Sequence, residues 1–334
     1  MSRWPFLLLL TLLAAMLTLP VVSLGLSWLQ WNAEVAQVLG EMASTVLPQY
    51  TLTTLWLSLA VALGVTLVGL GTASAVTLFD FAGRRFFEWA LLLPLAMPAY
   101  VVAYAYTDFL QFSGPLQVGL REAFGWQGRV FPEIRNTAGA AWVFTFSLYP
   151  YVYLLARTAL GERASQLMEA ARLLGAPLGR RIREVALPLA RPAVAAGVAL
   201  ALMETLADYG VSSYFGIQTF TAGIYKAWLA MDNRLAAAQL ATVLLVVVAL
   251  LLKLERSAQQ RMRFALVKGG ARSGAEAQPV RLRGGHRALA WLVCGLPVLL
   301  GFVLPVLFML RPLVDGWAEL NWKPFVGWAI NSLS

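Results

Sequence analysis

The chain has 334 residues, 59% of them hydrophobic and 13% charged, with a mean hydropathy of +0.68. A soluble domain is about 45–50% apolar and about 25% charged, so a water-soluble core of this length has no room for so much apolar surface, and lipid is the natural solvent. The net charge of +9 would point to nucleic acid on a soluble protein; here the basic residues gather between apolar runs, so membrane orientation accounts for them and no nucleic-acid partner is expected.

Seven apolar runs reach the length of about 20 helical residues that a bilayer requires: 5–28, 53–79, 89–111, 138–156, 193–217, 236–252 and 288–310. The first follows Arg3 and is longer than a signal-peptide core, so it reads as an uncleaved helix. Inside the runs the only charged residues are Asp108, Glu204 and Asp208. Loop 80–88 has Arg84 and Arg85, loop 157–192 has seven arginines, and loop 253–287 has nine Lys or Arg. The alternate loops are poorer: none in 29–52, three in 112–137 and two in 218–235. Every second loop is the basic one, which predicts a cytoplasmic amino terminus and a multi-pass protein of the inner, or plasma, membrane.

In the third run Pro94 and Pro98 predict a kink, and Asp108 among Tyr100, Tyr104 and Tyr106 reads as part of an interfacial aromatic belt. Residues 256–287, basic and rich in Gly pairs, read as a flexible cytoplasmic linker. Leu19-Pro20-Val21-Val22 in the first run recurs as Leu304-Pro305-Val306-Leu307 in the seventh, and Thr53-Thr54-Leu55 recurs loosely as Asn331-Ser332-Leu333. The organisation expected is therefore a six-helix unit over 1–255, the linker, and the beginning of a second, parallel unit over 288–334, with the rest of that unit in a longer chain.

The single cysteine, Cys294, excludes an internal disulfide, and the single histidine, His286, lies in a basic stretch. With no cluster of nucleophile, base or metal ligands, neither catalytic residues nor a metal site is expected. The chain has no Gly-x-x-x-x-Gly-Lys-[Ser/Thr] phosphate loop, so it is not expected to bind ATP or another cofactor itself.

The basic loop at 160–192 carries the most information. Ala164, Leu167, Met168, Ala171 and Leu174 make one apolar stripe on a helix. Gly175 stands where a helix C-cap favours a left-handed residue, and Pro177 stops continuation. A second stripe follows at Leu178, Ile182, Val185 and Leu189, and Pro188 and Pro192 are expected to break the path before the fifth span. Two short amphipathic helices joined by a tight turn, held under the membrane, are predicted. An interfacial pair lying on lipid headgroups is the simpler alternative.

Within this loop Glu169-Ala170-Ala171, three residues, Gly175, nine residues, Val185, one residue, and Leu187-Pro188 resemble the EAA loop of binding-protein-dependent ABC importer permeases. Val185 departs mildly from the isoleucine usual there. The resemblance implies an all-α, polytopic fold with six-helix type I importer units. It also implies that this loop docks on cytoplasmic ABC ATPase subunits, a dimer that hydrolyses ATP for a permease that is not itself an enzyme. A substrate-binding protein outside, the lipid bilayer and the second permease unit complete the expected partners. The stretch Glu204-Thr205-Leu206-Ala207-Asp208-Tyr209-Gly210, with Tyr214-Phe215-Gly216 and Gly223-Ile224-Tyr225, resembles the ferric-iron branch of that family. Thiamine, sulfate and phosphonate permeases share the loop.

Read physically, Glu204 and Asp208 at i and i+4 share one helix face, and a carboxylate at a bilayer's centre costs about 2.5–3.5 kcal/mol. With Tyr209 they are candidates for a translocation path, or else they hold helices and loops together. The same carboxylates would serve a proton-coupled secondary transporter, for which an ATPase dock has no use.

Overall fold

The computed structural model describes residues 4–161, 165–268, 279–316 and 322–333. Among these residues six helices are long and apolar enough to cross a membrane, and one sharply bent helix pair brings the number to seven. Helices suit this environment because each satisfies its own backbone hydrogen bonds where no water is present.

The first helix, α1 (Trp4–Leu26), contributes no buried residue from its apolar window. It is tied to the sixth span by polar side chains: Gln239 donates to the Ser27 carbonyl (3.1 Å) and Thr242 to the Leu24 carbonyl (3.1 Å). The loop 29–52 holds a helix too short to span a bilayer, α2 (Ala33–Thr45), capped by Asn32 and burying Val35 and Met42. The second span is α3 (Leu47–Leu78).

The third run is a broken span. It comprises α4 (Arg84–Ala90), a tight turn at Leu93–Ala96 and α5 (Ala99–Leu110), followed by α6 (Pro115–Phe124), with an 88° bend at the break. Pro98 forces Met97 into extended backbone (φ −115°, ψ 126°), because the proline ring disfavours α geometry in the residue before it. The kink expected from Pro94 and Pro98 is therefore a full break. Tyr106 does not join the belt that Tyr100 and Tyr104 form at the surface; it is buried, and its hydroxyl donates to the Leu300 carbonyl (2.6 Å).

The core is built by α3, α7 (Thr137–Ala159) and the fifth span. Backbones approach closely there because glycines face them. A Cβ on Gly69 would stand 2.9 Å from the Tyr149 carbonyl, and one on Gly197 would stand 2.6 Å from the Val152 Cα. Such small-residue contacts bring membrane helices together where lipid removes the hydrophobic drive.

After α8 (Ser165–Leu173) the chain departs from the predicted pair of short helices. The turn α9 (Leu178–Arg181), a π-helical turn at Ile182–Ala186 and α10 (Leu187–Ala207) run as one 30-residue helix. Pro188 and Pro192 do not break it. Pro188 lies in the first turn of α10, just after the π turn, where the altered register absorbs its missing N–H. The fifth span also ends at Ala207 rather than 217. Residues beyond it form two short helices, α11 (Gly210–Phe215) and α12 (Phe220–Tyr225), with a π turn at Lys226–Ala230.

The sixth span, α13 (Arg234–Lys268), continues well past the boundary assigned to the linker at 256. Residues 269–278 lie outside the described residues. The end of the linker is not free, since Val280 and Arg281 pair in parallel with Phe79 and Asp80, and the Leu282 N–H donates to the Asp80 carbonyl (2.9 Å). The seventh span, α14 (Gly285–Val298), a π turn at Leu299–Val303 and α15 (Leu304–Asp315), packs against α3, α4, α5 and α7. Phe308 stacks on Phe109 at 3.8 Å, and α16 (Trp322–Leu333) follows.

Candidate functional site

The loop singled out by its spacing forms a helix, a tight turn and the start of a long rod. Gly175 has φ +82°. Its N–H donates to the Arg172 carbonyl (2.9 Å), and the Ala176 N–H donates to the Ala171 carbonyl (3.0 Å). These paired bonds are the Schellman closure, which satisfies the orphan carbonyls of α8. Pro177 then starts the next helix at an extended φ/ψ. The apolar stripes divide unequally. Met168 is buried, and Leu178, Ile182, Val185 and Leu189 pack against the core, as their spacing predicts. Leu174, assigned to the first stripe, is instead 88% exposed, beside Leu173 at 81%. Ala164 lies outside the described residues.

Glu169 is half-buried and pairs with Arg172 at 3.3 Å, three residues on. Ala170 is exposed and Ala171 half-buried, while Leu187 and Pro188 are half-buried at the start of α10. The turn thus presents two bare leucines at its tip and anchors both flanks to the bundle. Leu173 is the residue that the spacing did not single out; its signal is the adjacent leucine pair immediately before a Gly C-cap.

The loop end of the bundle is braced by charge. Glu88 receives Arg84 (3.2 Å) and Arg157 (2.9 Å), which joins α4 to the last turn of α7 directly before the loop. No local pattern signals this bridge, because 69 residues separate Glu88 from Arg157.

At the other end of the rod, Glu204 and Asp208 have different environments. Asp208 closes α10 and sits beyond its last helical residue, where its carboxylate accepts the Val211 N–H (2.7 Å) and so caps α11. Glu204 is exposed, and its side chain has no hydrogen bond or ion pair among the described residues. The Asp208 N–H still donates to the Glu204 carbonyl (3.0 Å), so the two carboxylates remain neighbours one turn apart, one capping α11 and the other without a hydrogen bond or ion pair among the described residues. Tyr209 stacks on Tyr225 (3.8 Å, 17°). The two rings border an open cleft of about 330 Å³, lined also by Tyr50, Ser213, Gln218 and Lys226. The surrounding loops are pinned: Arg135 donates to the Tyr214 carbonyl (2.6 Å), and the Phe220 N–H donates to the Thr54 hydroxyl (2.8 Å).

The profile of the family described as binding-protein-dependent transport system inner membrane component matches residues 65–263. The Fe(3+)-transport system permease protein FbpB 2 of Haemophilus influenzae is 26% identical over 194 residues, which cover 58% of this chain and 34% of that one. A probable sulfate transport system permease protein, cysT, of Chlorokybus atmophyticus is 30% identical over 220 residues, 62% of this chain and 70% of that one. The chain thus spans about a third of the ferric-iron relative's length. A chain from the crystal structure of a bacterial alginate ABC transporter, in complex with alginate pentasaccharide-bound periplasmic protein, superposes with a TM-score of 0.57 at 18% identity, over 80% of this chain and 97% of that one. That likeness is one of fold.

Proposed function

The chain belongs to the family of binding-protein-dependent transport system inner membrane components, and we propose that it is the membrane-spanning part of an ATP-driven importer whose ATPase is a separate protein. The single observation that carries this reading is the turn at 173–177. Two leucines stand bare at its tip while its flanks are held by Met168 on one side and by Leu178, Ile182 and Val185 on the other. An exposed apolar pair on a rigid, Schellman-closed turn suits insertion into a cleft of a partner protein, and that partner is the ATPase dimer, on the cytoplasmic side. The rod Leu178–Ala207, about 45 Å long at 1.5 Å per residue, then carries any displacement of the turn to Glu204 and the tyrosine cleft.

The cargo proposed is ferric iron, delivered by a binding protein on the outer face. Two observations support it: the match to the Haemophilus influenzae protein named for Fe(3+) transport, and the free carboxylate of Glu204 at the head of the rod. A second reading, an oxyanion such as sulfate, is favoured by the match to the Chlorokybus atmophyticus protein named for sulfate transport and by Lys226 in the cleft. Uptake of labelled ferric iron and labelled sulfate by cells with and without the gene separates them. Loss of sulfate uptake alone overturns the iron reading. Retention of both overturns an importer for either ion.

A further inference from the structure

The joint between the linker and the turn after the second span carries a cluster of charge that the coupling role leaves unused. The parallel pairing of 79–80 with 280–281 brings the turn after the second span against the entry to the seventh. The Trp291 indole N–H donates to the Ala82 carbonyl (2.8 Å) and its ring meets Phe87 edge-on at 4.9 Å, which fixes the two segments together. The contact between Arg157 and Glu88 puts this joint at the same end of the bundle as the 165–186 loop.

Six arginines meet two carboxylates there. Glu88 is taken by Arg84 and Arg157, and Asp80 by Arg281 at 3.8 Å. Arg85, Arg283 and Arg287 are exposed and have no ion pair among the described residues. Arg85 lines a cleft of about 450 Å³ together with Asp80, Phe81, Gly83, Arg84 and Glu88, and the linker meets that lining at Asp80 through Arg281 and the Leu282 N–H, one residue before Arg283. On α4 Phe86 and Trp89 project outward, 64% and 77% exposed, and Leu289 and Leu292 stand bare on α14.

We propose that this cleft and the linker segment beside it bind the phosphodiester headgroup of an anionic phospholipid, with Arg85 from the cleft and Arg283 from the linker on the phosphate. Guanidinium groups bind phosphate through paired, charge-assisted hydrogen bonds, and basic pockets between spans on the cytoplasmic side hold anionic lipid heads. The rings of Phe86 and Trp89 and the leucines of α14 give the acyl chains an apolar wall at the level where aromatic residues meet headgroups. Free phosphate would use the arginines and leave that wall idle, so the lipid is the better tenant. A lipid held here would brace the linker against the first unit, next to the bridge from Glu88 to Arg157.

Native mass spectrometry of the purified full chain, supplied with phosphatidylglycerol or with phosphatidylcholine of the same acyl chains, tests the site. The expected result is preferential retention of phosphatidylglycerol. Retention falls by about thirtyfold in the double variant Arg85→Gln, Arg283→Gln, which removes two cationic contacts. It survives in Arg85→Lys, Arg283→Lys, with both variants monodisperse on gel filtration. Excess inorganic phosphate should not displace the lipid. Equal retention of the two lipids, an unchanged double variant, or displacement by phosphate would each overturn the proposal. So would a double variant that keeps its lipid but loses its ATPase, because the arginines would then serve a protein contact.

Discussion

Gly175 offers the sharpest test of the coupling turn, because the structure isolates one physical effect there. A Cβ placed on Gly175 meets nothing within 4 Å, so substitution causes no clash. The cost is conformational alone. An L residue at φ +82° sits in the left-handed region, which costs about 1–2 kcal/mol for alanine. That lowers the population of the closed turn by about 5–30-fold. A β-branched valine costs more, whereas asparagine tolerates this region and is a natural C-cap. The expected order of function is glycine, asparagine, alanine, valine. The assay is ATP hydrolysis by the complex reconstituted with its ATPase and binding protein, with and without loaded binding protein, alongside the amount of ATPase that co-purifies. Stimulation should follow that order while yield in the membrane stays constant, since no spanning residue is touched. Full stimulation and uptake in Gly175→Val would refute the docking role. An asparagine variant as poor as valine would refute the conformational reasoning while leaving the docking role in place.

Three further outcomes follow from the same geometry. Asp208→Asn should keep the cap on Val211 and with it thermal stability, whereas Asp208→Ala should lose about 1 kcal/mol, read from the melting temperature; normal stability in the alanine variant would remove the capping role. Glu204→Leu should leave membrane yield unchanged or higher, because a charge that is costly within a bilayer is removed, while uptake falls; normal uptake would take Glu204 out of the path. Leu174→Cys, at a position 88% exposed, should resist impermeant thiol reagents in intact cells and react after permeabilisation; strong labelling of intact cells would invert the proposed orientation.

The spans were legible because lipid imposes a length and a composition on them, and a run of about 20 apolar residues has little use elsewhere in a protein. The Gly175 cap was legible for a related reason: Gly followed by Pro two residues on is local chemistry that acts within one turn. What escaped was set by partners distant in sequence. Tyr106 looks interfacial beside Tyr100 and Tyr104, and only the seventh span, 194 residues away, makes it a buried donor. Asp208 is a local exception: the helix ends one residue before it, so its carboxylate caps α11 at Val211 while its N–H still bonds the Glu204 carbonyl. The linker composition reads as flexible, yet main-chain pairing with residues 79–80 takes hold of its last residues without regard to side chains. The helix within 29–52 is a different case: Val35, Val38, Leu39 and Met42 make a local i, i+3, i+4, i+7 stripe, but at 13 residues it is too short to register as a span.

The prolines expected to break the fifth span show how one residue type can shape a helix without ending it. An α-helical residue at 188 would donate its N–H to the Glu184 carbonyl, and proline has none to give. The chain answers with the π turn at Ile182–Ala186, where the Leu187 N–H reaches back to the Ile182 carbonyl. The seventh span does the same: the π turn Leu299–Val303 ends with the Leu304 N–H on the Leu299 carbonyl, directly before Pro305. In both places a Leu-Pro pair follows five residues of widened helix, so the wide turn accommodates the proline, although the π turn at Lys226–Ala230 forms with no proline after it. In the fifth span it lies between the coupling turn and the rod, where a wide register supplies a joint; in the seventh it lies in a packed span far from that turn. Pro188→Ala should restore the missing bond, worth about 1 kcal/mol, and raise the melting temperature. It should also stiffen the joint and lower uptake per ATP hydrolysed. Pro305→Ala makes the same chemical change and should raise stability with uptake retained. If Pro188→Ala couples as well as the native protein, the π turn only accommodates a proline, and motion of the turn at Gly175 reaches Glu204 without it.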